Sequence, residues 1–537
     1  MSALKKLNSV YFFALIGALA GGAVLTTFHP EANWGLGLLV LTGFLFAAIL
    51  GLHFLVRPHA EGTPLLWMVA VAFTLRLVVG ILLLGGLPVY GNPSDQERAG
   101  YVFKDAYNRD LRAQHLATTE KSIFTIFSNR DKTDQYGGYL AMSTFIYRYL
   151  SPGTPRTQIL LILSAWAGAA AVLFFWLFAR KVVGDKTAAW GAWLFCLFPE
   201  SVLMGASQMR EPFLILFVTA ACWAVNEWMG NRAGRYLWIL GGASLGLLAL
   251  SPGILFPLYL FLIGWWLIRG NGRKIPGWVY IVVIALAVVA LAAFAYGIAR
   301  PGQLEKFSMG QTILRWFKNA ALWDFATNTN SSGRLEFIFA SLPKQFQLPF
   351  VVVYGMLQPV LPAALLEPSV WIRTTISSLL AAGWYWMLPL LIFATFACFK
   401  IEDKTERRSM IWMMALSWVW VLVSSARAGG DMWDNPRYRV IFILWMAVLS
   451  AWAWENCRSH SFRWLNRIWL VEAVAILFFA EWYASRYYGL FNRLPFERML
   501  LGIVICSAVI LAVGLLDDRF GWSTKLLVMI SKKKVKP

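Results

Sequence analysis

The chain has 537 residues, of which 59% are hydrophobic and 14% charged, with a formal net charge of +20. A soluble domain uses about 25% charged residues, so water is not the main solvent of this protein. Nor does the basic excess point to nucleic acid, because Lys and Arg cluster in alternate loops between apolar blocks, which is the pattern of membrane orientation.

Crossing about 30 Å of hydrocarbon takes roughly 20 helical residues. Blocks of that kind lie near residues 9–27, 34–55, 64–86, 157–179, 188–205, 212–229, 236–250, 253–269, 277–299, 376–399, 409–425, 437–455, 466–483 and 498–516. No secretory cleavage site follows the first block, so it is expected to stay as a helix. The predicted fold class is an all-α polytopic membrane protein, a transmembrane helix bundle of about 13–14 spans with two long extracytoplasmic loops.

Basic clusters at Lys5–Lys6, Arg180–Lys181, Arg232–Arg235, Arg269–Lys274, Lys400–Arg408, Arg458–Arg467 and Lys532–Lys536 all face one side if the spans alternate. The positive-inside rule makes that side the cytoplasm and puts both termini there. Segment 345–365 would invert every later loop if it crossed, so its three prolines are read as marking a broken, re-entrant or interfacial piece. The five cysteines show no CxxC spacing and predict neither a zinc site nor a disulfide framework.

Two loops, 87–156 and 300–375, then fall outside, and loops beyond about 15 residues usually carry function of their own. The first contains an amphipathic stretch with apolar residues at Tyr101, Ala106 and Leu111, the pattern of a helix lying on the membrane surface. Just after the third span, Gly91-Asn92-Pro93-Ser94 introduces Asp95 and Glu97. Ser94 or Asp95 could cap a helix there. A carboxylate at the water–membrane boundary could also take a proton from an acceptor hydroxyl, or bind a divalent cation beside a phosphate.

Further along, Arg210 and Glu211 stand before Pro212 at the start of a span, where the arginine could pair with its neighbour or hold an anionic headgroup. Between the spans at 409–425 and 437–455, the carboxylates Asp431 and Asp434 crowd together with Arg427, Arg437 and Arg439. Basic density is selected against in short outer loops, which makes an anion site the economical reading beside simple Asp–Arg pairing.

Asp95-Gln96-Glu97, the returning stretch from Asp134 to Tyr139 with Tyr136, the hairpin around Leu250-Ser251-Pro252 and the late segment NPRYRVIFILW follow one another in an order that resembles the GT-C superfamily of membrane glycosyltransferases. The closer likeness is to its bacterial protein mannosyltransferase and aminoarabinose transferase branch, which implies a bacterial plasma (inner) membrane. It covers about residues 64 to 300, with a weaker echo near 430–450. Two spans precede it, and the hairpin lacks the basic residue that the family commonly carries.

The resemblance implies four units: a two-span extension at 1–63, a GT-C-like module at 64–299, an external loop with a re-entrant segment at 300–375, and a C-terminal bundle with a basic tail at 376–537. It implies transfer of a sugar from a polyprenyl-phosphate carrier to a lipid, glycan or protein acceptor on the extracytoplasmic face, with inversion. Asp95 would be the general base and Glu97 its orienting partner or a cation ligand. Arg210 with Arg437 or Arg439 would hold the phosphate, and Asp134, Tyr136, Glu211, Asp431 and Asp434 are further candidates. The alternatives are a lipid or sugar transporter or flippase, which would place ionisable groups at mid-membrane, where this chain has few, Arg76 and Glu472 being the main candidates, and a surface-polysaccharide polymerase or ligase.

Overall fold

Backbone groups inside a bilayer must be satisfied within the chain, and the described residues meet that demand with helices and no strand. The computed structural model describes residues 2–28, 33–120, 122–128, 133–134, 136–270, 308, 310–312, 314–315, 318–319, 322, 338–459 and 462–521. Among them, ten helices are long and apolar enough to cross a membrane, and a bent pair makes up to eleven. Shorter apolar helices cover Tyr11–Thr26 and Gly234–Leu250. The chain is a multi-pass membrane protein. Each predicted span falls on one of these helices except 277–299, which lies outside the described residues.

In chain order the helices are α1 (Ser2–Thr26), α2 (Trp34–Val56), α3 (Leu65–Tyr90), α4 (Asp95–Arg98), α5 (Lys104–Ala117), α6 (Thr125–Ser128), α7 (Gly138–Phe145), α8 (Gln158–Val183), α9 (Asp185–Leu197), α10 (Pro199–Gly205), α11 (Glu211–Asn231), α12 (Gly234–Leu250) and α13 (Leu255–Arg269). After the second long loop come α14 (Lys344–Met356), α15 (Leu361–Leu366), α16 (Trp371–Ala397), α17 (Lys404–Arg427), α18 (Asp434–Arg439), α19 (Ile443–Ser459), α20 (Arg463–Tyr488) and α21 (Phe496–Phe520). Local chemistry sets several starts: Asn33 accepts from Leu36 N at 3.0 Å, and Asp403 accepts from Glu406 N at 2.6 Å.

The bundle is organised around α8, which packs against α2, α3, α9, α10 and α11. Its buried run Ala165, Ala167, Gly168, Ala169, Ala170 and Ala171 is small, so neighbouring backbones come close and dispersion replaces the missing hydrophobic drive. Arg76 lies fully buried on α3, donating to the carbonyls of Ala72 and Cys196, each at 3.1 Å, and to Ser201 Oγ at 2.8 Å. It clamps three elements together.

The structure adds detail to the predicted elements at three places. The expected span 188–205 is broken at Phe198-Pro199, where α9 and α10 meet at 54° because proline cannot continue the hydrogen-bond ladder. The segment read as re-entrant is the 13-residue α14 followed by the short α15, and 13 residues rise only about 20 Å. The amphipathic stretch is a helix, α5, but its buried face is Ala106, Arg109, Asp110 and Ala113, while Leu111 is exposed. Two small apolar residues and the hydrogen-bonded Asp110 share that face.

Candidate active site

A cavity of about 520 Å³ opens where the end of α3, the start of α5, the turn before α16 and the loop leading into α18 meet. Its polar lining includes Glu97, Lys104, Asp105, Glu367, Arg373, Asp431, Asp434 and Arg437.

Glu97 builds the first wall. The Asn92 backbone N–H donates to its Oε2 at 2.7 Å and Asn92 Nδ2 to its Oε1 at 3.2 Å. Arg373 adds Nε at 3.0 Å and Nη2 at 2.6 Å, both to Oε1. The same guanidinium donates to Val102 O at 3.0 Å and lies over the Trp433 ring at 4.5 Å, so one residue of α16 ties the loop after α3 to the loop before α18. Glycine is needed at 91, because a Cβ there would stand 2.5 Å from Glu97 Oε2. Gly100, at φ +82, lets the chain turn back against the Leu84 backbone.

Asp95 occupies the first position of α4, is exposed, and is not among the residues lining the cavity. Ser94 makes no cap bond. The pair was also a candidate for a divalent cation, but both oxygens of Glu97 are occupied by Asn92 and Arg373. No group of three or more His, Cys, Asp or Glu among the described residues could hold a metal ion. These residues do not fit a cation.

Arg437 forms the second wall. Its Nε donates to Glu211 Oε1 at 2.7 Å, and its Nη1 reaches Asp105 Oδ2 at 3.0 Å and Asp434 Oδ1 at 3.4 Å. Glu211 lies behind it, almost wholly buried. Asp431 Oδ1 accepts from the N–H groups of Trp433 at 2.7 Å and Asp434 at 2.6 Å, which shapes the turn that aims Asp434.

One layer back, Asp134 starts α7 by accepting from Tyr136 N at 3.3 Å and Leu140 N at 3.0 Å. Arg210 lies over the Tyr136 ring at 5.3 Å, 3.8 Å from Asp134 and 3.9 Å from Glu211. Arg439 sits elsewhere. It pairs with buried Glu200, donates to Gln358 O at 3.0 Å and covers Trp384 at 3.5 Å, and it does not line the cavity.

Glu97, Asp431, Asp434 and Arg437 therefore share one cavity, Glu211 backs it, and Asp134, Tyr136 and Arg210 form an adjoining set. Lys104, Asp105, Glu367 and Arg373 escaped the sequence reading. Arg373 left a signal, being a cation in an expected outer loop where the positive-inside rule disfavours one. Glu367, half-buried and bonded by Tyr487 Oη at 3.3 Å, has its carboxyl pushed up by burial.

On the buried face of α5, Asp110 accepts from the Tyr147 hydroxyl and from Gln114 Nε2 at 2.6 Å. Burial raises its carboxyl above the ordinary value, with Tyr147, Tyr101, Gln114 and Arg109 opposing the rise. Because the folded value exceeds the unfolded one, the folded state binds the proton more tightly. The resulting stabilisation is complete below the ordinary carboxylate range and is lost as pH rises through the folded value. Asp110→Asn should flatten that acid-side gain, read as the pH dependence of thermal unfolding in detergent. An unchanged slope would dismiss Asp110 as its source.

No family model and no curated protein matches the chain. Among solved structures, the apo crystal structure of the oligosaccharyltransferase of Archaeoglobus fulgidus matches at 15% identity and TM-score 0.38, covering 84% of this chain and 56% of that one. Archaeal oligosaccharyltransferase AglB from the same organism, in complex with an inhibitory peptide and a dolichol-phosphate, matches at 16% identity and TM-score 0.35, covering 84% and 55%. A third structure, of the Archaeoglobus fulgidus enzyme tethered by a disulfide to an acceptor peptide with the NVT sequon, gives 14% identity and TM-score 0.37, covering 84% and 55%. The chain thus spans just over half the length of the proteins it matches.

Proposed function

We propose that the protein is a GT-C-type glycosyltransferase that moves a sugar from a polyprenyl-phosphate carrier to an acceptor on the extracytoplasmic face of a bacterial plasma membrane, with both termini cytoplasmic. The observation that carries this reading is the cavity at the junction of the loops and the span ends, where a buried arginine and several carboxylates meet. A lipid-linked donor needs such a place, with its chain in the bilayer and its phosphate and sugar in a polar recess. A volume of about 520 Å³ lies within the usual range of small-molecule sites.

Of the three arginines considered for the phosphate, Arg437 lines the cavity and takes that contact in this reading. Arg210 adjoins it through Glu211 and can join as the donor settles, while Arg439 braces the bundle. Trp433 offers a ring face for the sugar. The module at 64–299 supplies the first wall, and the two spans before it form an added flank. Inversion follows from a single displacement in which acceptor and phosphate stand on opposite sides of the anomeric carbon.

The test is transfer from labelled polyprenyl-phosphate hexoses in right-side-out membrane vesicles carrying the protein. Sugar should move to an acceptor facing the vesicle exterior, with release of polyprenyl phosphate. Label that appears only on acceptors in the lumen would reverse the orientation, and no transfer from any such donor would remove the reading.

A further inference from the structure

The carboxylates of the first loop differ in what their oxygens are doing. Both oxygens of Glu97 are held by Asn92 and Arg373, and those of Asp134 accept from the backbone at the start of α7. Those of Asp110 are taken by Tyr147 and Gln114. Asp105 is unlike them. It lines the cavity, its side chain is 60% exposed, and its Oδ2 is held by Arg437 Nη1 at 3.0 Å. That guanidinium is only 4% exposed, and its Nε is fixed on Glu211 at 2.7 Å.

The geometry points to Asp105 as the general base of the transfer, with Arg437 and Glu211 as the residues that position it. This rests on reading the protein as a glycosyltransferase. A base must reach the proton it removes, so position comes before acidity. Asp95, at the start of α4, does not line the cavity, whereas Asp105 stands in it with one oxygen anchored. A free carboxylate on a loop would sample many rotamers. Here the chain Glu211–Arg437–Asp105 runs from a buried span end to the cavity surface, so the buried end sets the orientation of the exposed one.

In the step itself, the acceptor hydroxyl gives its proton to Asp105 while its oxygen forms the bond to the anomeric carbon. The bond from that carbon to the phosphate oxygen breaks, and its electron pair leaves with polyprenyl phosphate, which goes from monoanion to dianion. Asp105 changes from carboxylate to carboxylic acid and returns the proton to water. The growing charge on the phosphate falls beside Arg437, whose guanidinium thus touches both base and leaving group.

The experiment compares Asp105→Asn, Asp105→Glu and Asp95→Asn in the vesicle assay, with donor KM and turnover measured separately. Asp105→Asn should lower kcat about a hundredfold or more and change donor KM little, because a positioned base typically contributes about 10²–10⁴-fold. Asp105→Glu should recover part of that loss, since it restores a carboxylate at slightly longer reach. A loss confined to KM, or turnover by Asp105→Asn within about threefold of the wild type, would overturn the assignment. A hundredfold loss in Asp95→Asn with near-normal Asp105→Asn would move the base to Asp95 and leave the glycosyltransferase reading standing. Absence of transfer by the wild type would remove both.

Discussion

Glu200→Gln should destabilise the protein by about 3–5 kcal/mol, because it leaves the charge of Arg439 buried without its counter-ion. Glu200 is wholly buried and the Arg439 side chain is 2% exposed, so water cannot replace the lost partner. The remaining contacts of Arg439, the Gln358 carbonyl and the Trp384 face, are neutral. They satisfy N–H groups without balancing a full charge. Glu200 belongs to α10, Gln358 to the turn after α14 and Trp384 to α16, so the arginine draws together the broken span, the short helix and the span behind it. The measurement is the fraction of monodisperse protein after graded heating in detergent.

Replacing both members, Glu200→Met with Arg439→Met, removes two desolvated charges of similar bulk and should restore much of the loss, since such exchanges are often neutral. That double variant also separates bracing from donor binding. Full stability with normal donor KM would make Arg439 a brace, and full stability with a large rise in KM would return it to the phosphate. A single variant as stable as the wild type would show that the pair holds nothing.

The second large effect is expected at Arg437. Lysine in its place keeps the positive charge but cannot present the fork that serves Glu211, Asp105 and Asp434 together. Charge-assisted hydrogen bonds contribute about 1.5–3 kcal/mol each, so losing one in the transition state should slow transfer by roughly 10- to 100-fold. Donor KM should rise as well if the same guanidinium touches the phosphate. The sharper readout is coupling. Once Asp105→Asn has removed the base, Arg437→Lys should cost clearly less further kcat than it does alone, the remainder being its contact with the leaving phosphate, because residues acting through one another are not additive. Independent losses that multiply would break the proposed chain, and normal kinetics in Arg437→Lys alone would leave that arginine as a structural pair.

The transmembrane character and the span positions were legible in the residues because burial in a bilayer is read locally. Each block such as 64–86 or 498–516 satisfies its own backbone and carries its own apolar surface, whatever its neighbours are. The break at Phe198-Pro199 was also written locally, in a proline that the apolar run concealed. The acids after α3 and the arginines before α19 were recognisable as polar groups kept at the ends of spans. What they do was not recognisable, since ion pairing is decided by contact in space. Glu97 meets Arg373 across 276 residues, and Asp105 meets Arg437 across 332. Nothing within either segment distinguishes Asp95, outside the cavity lining, from Asp105, which lines the cavity and is held by Arg437. Helix packing made that choice, by bringing a buried arginine from the far end of the chain to one carboxylate and not the other.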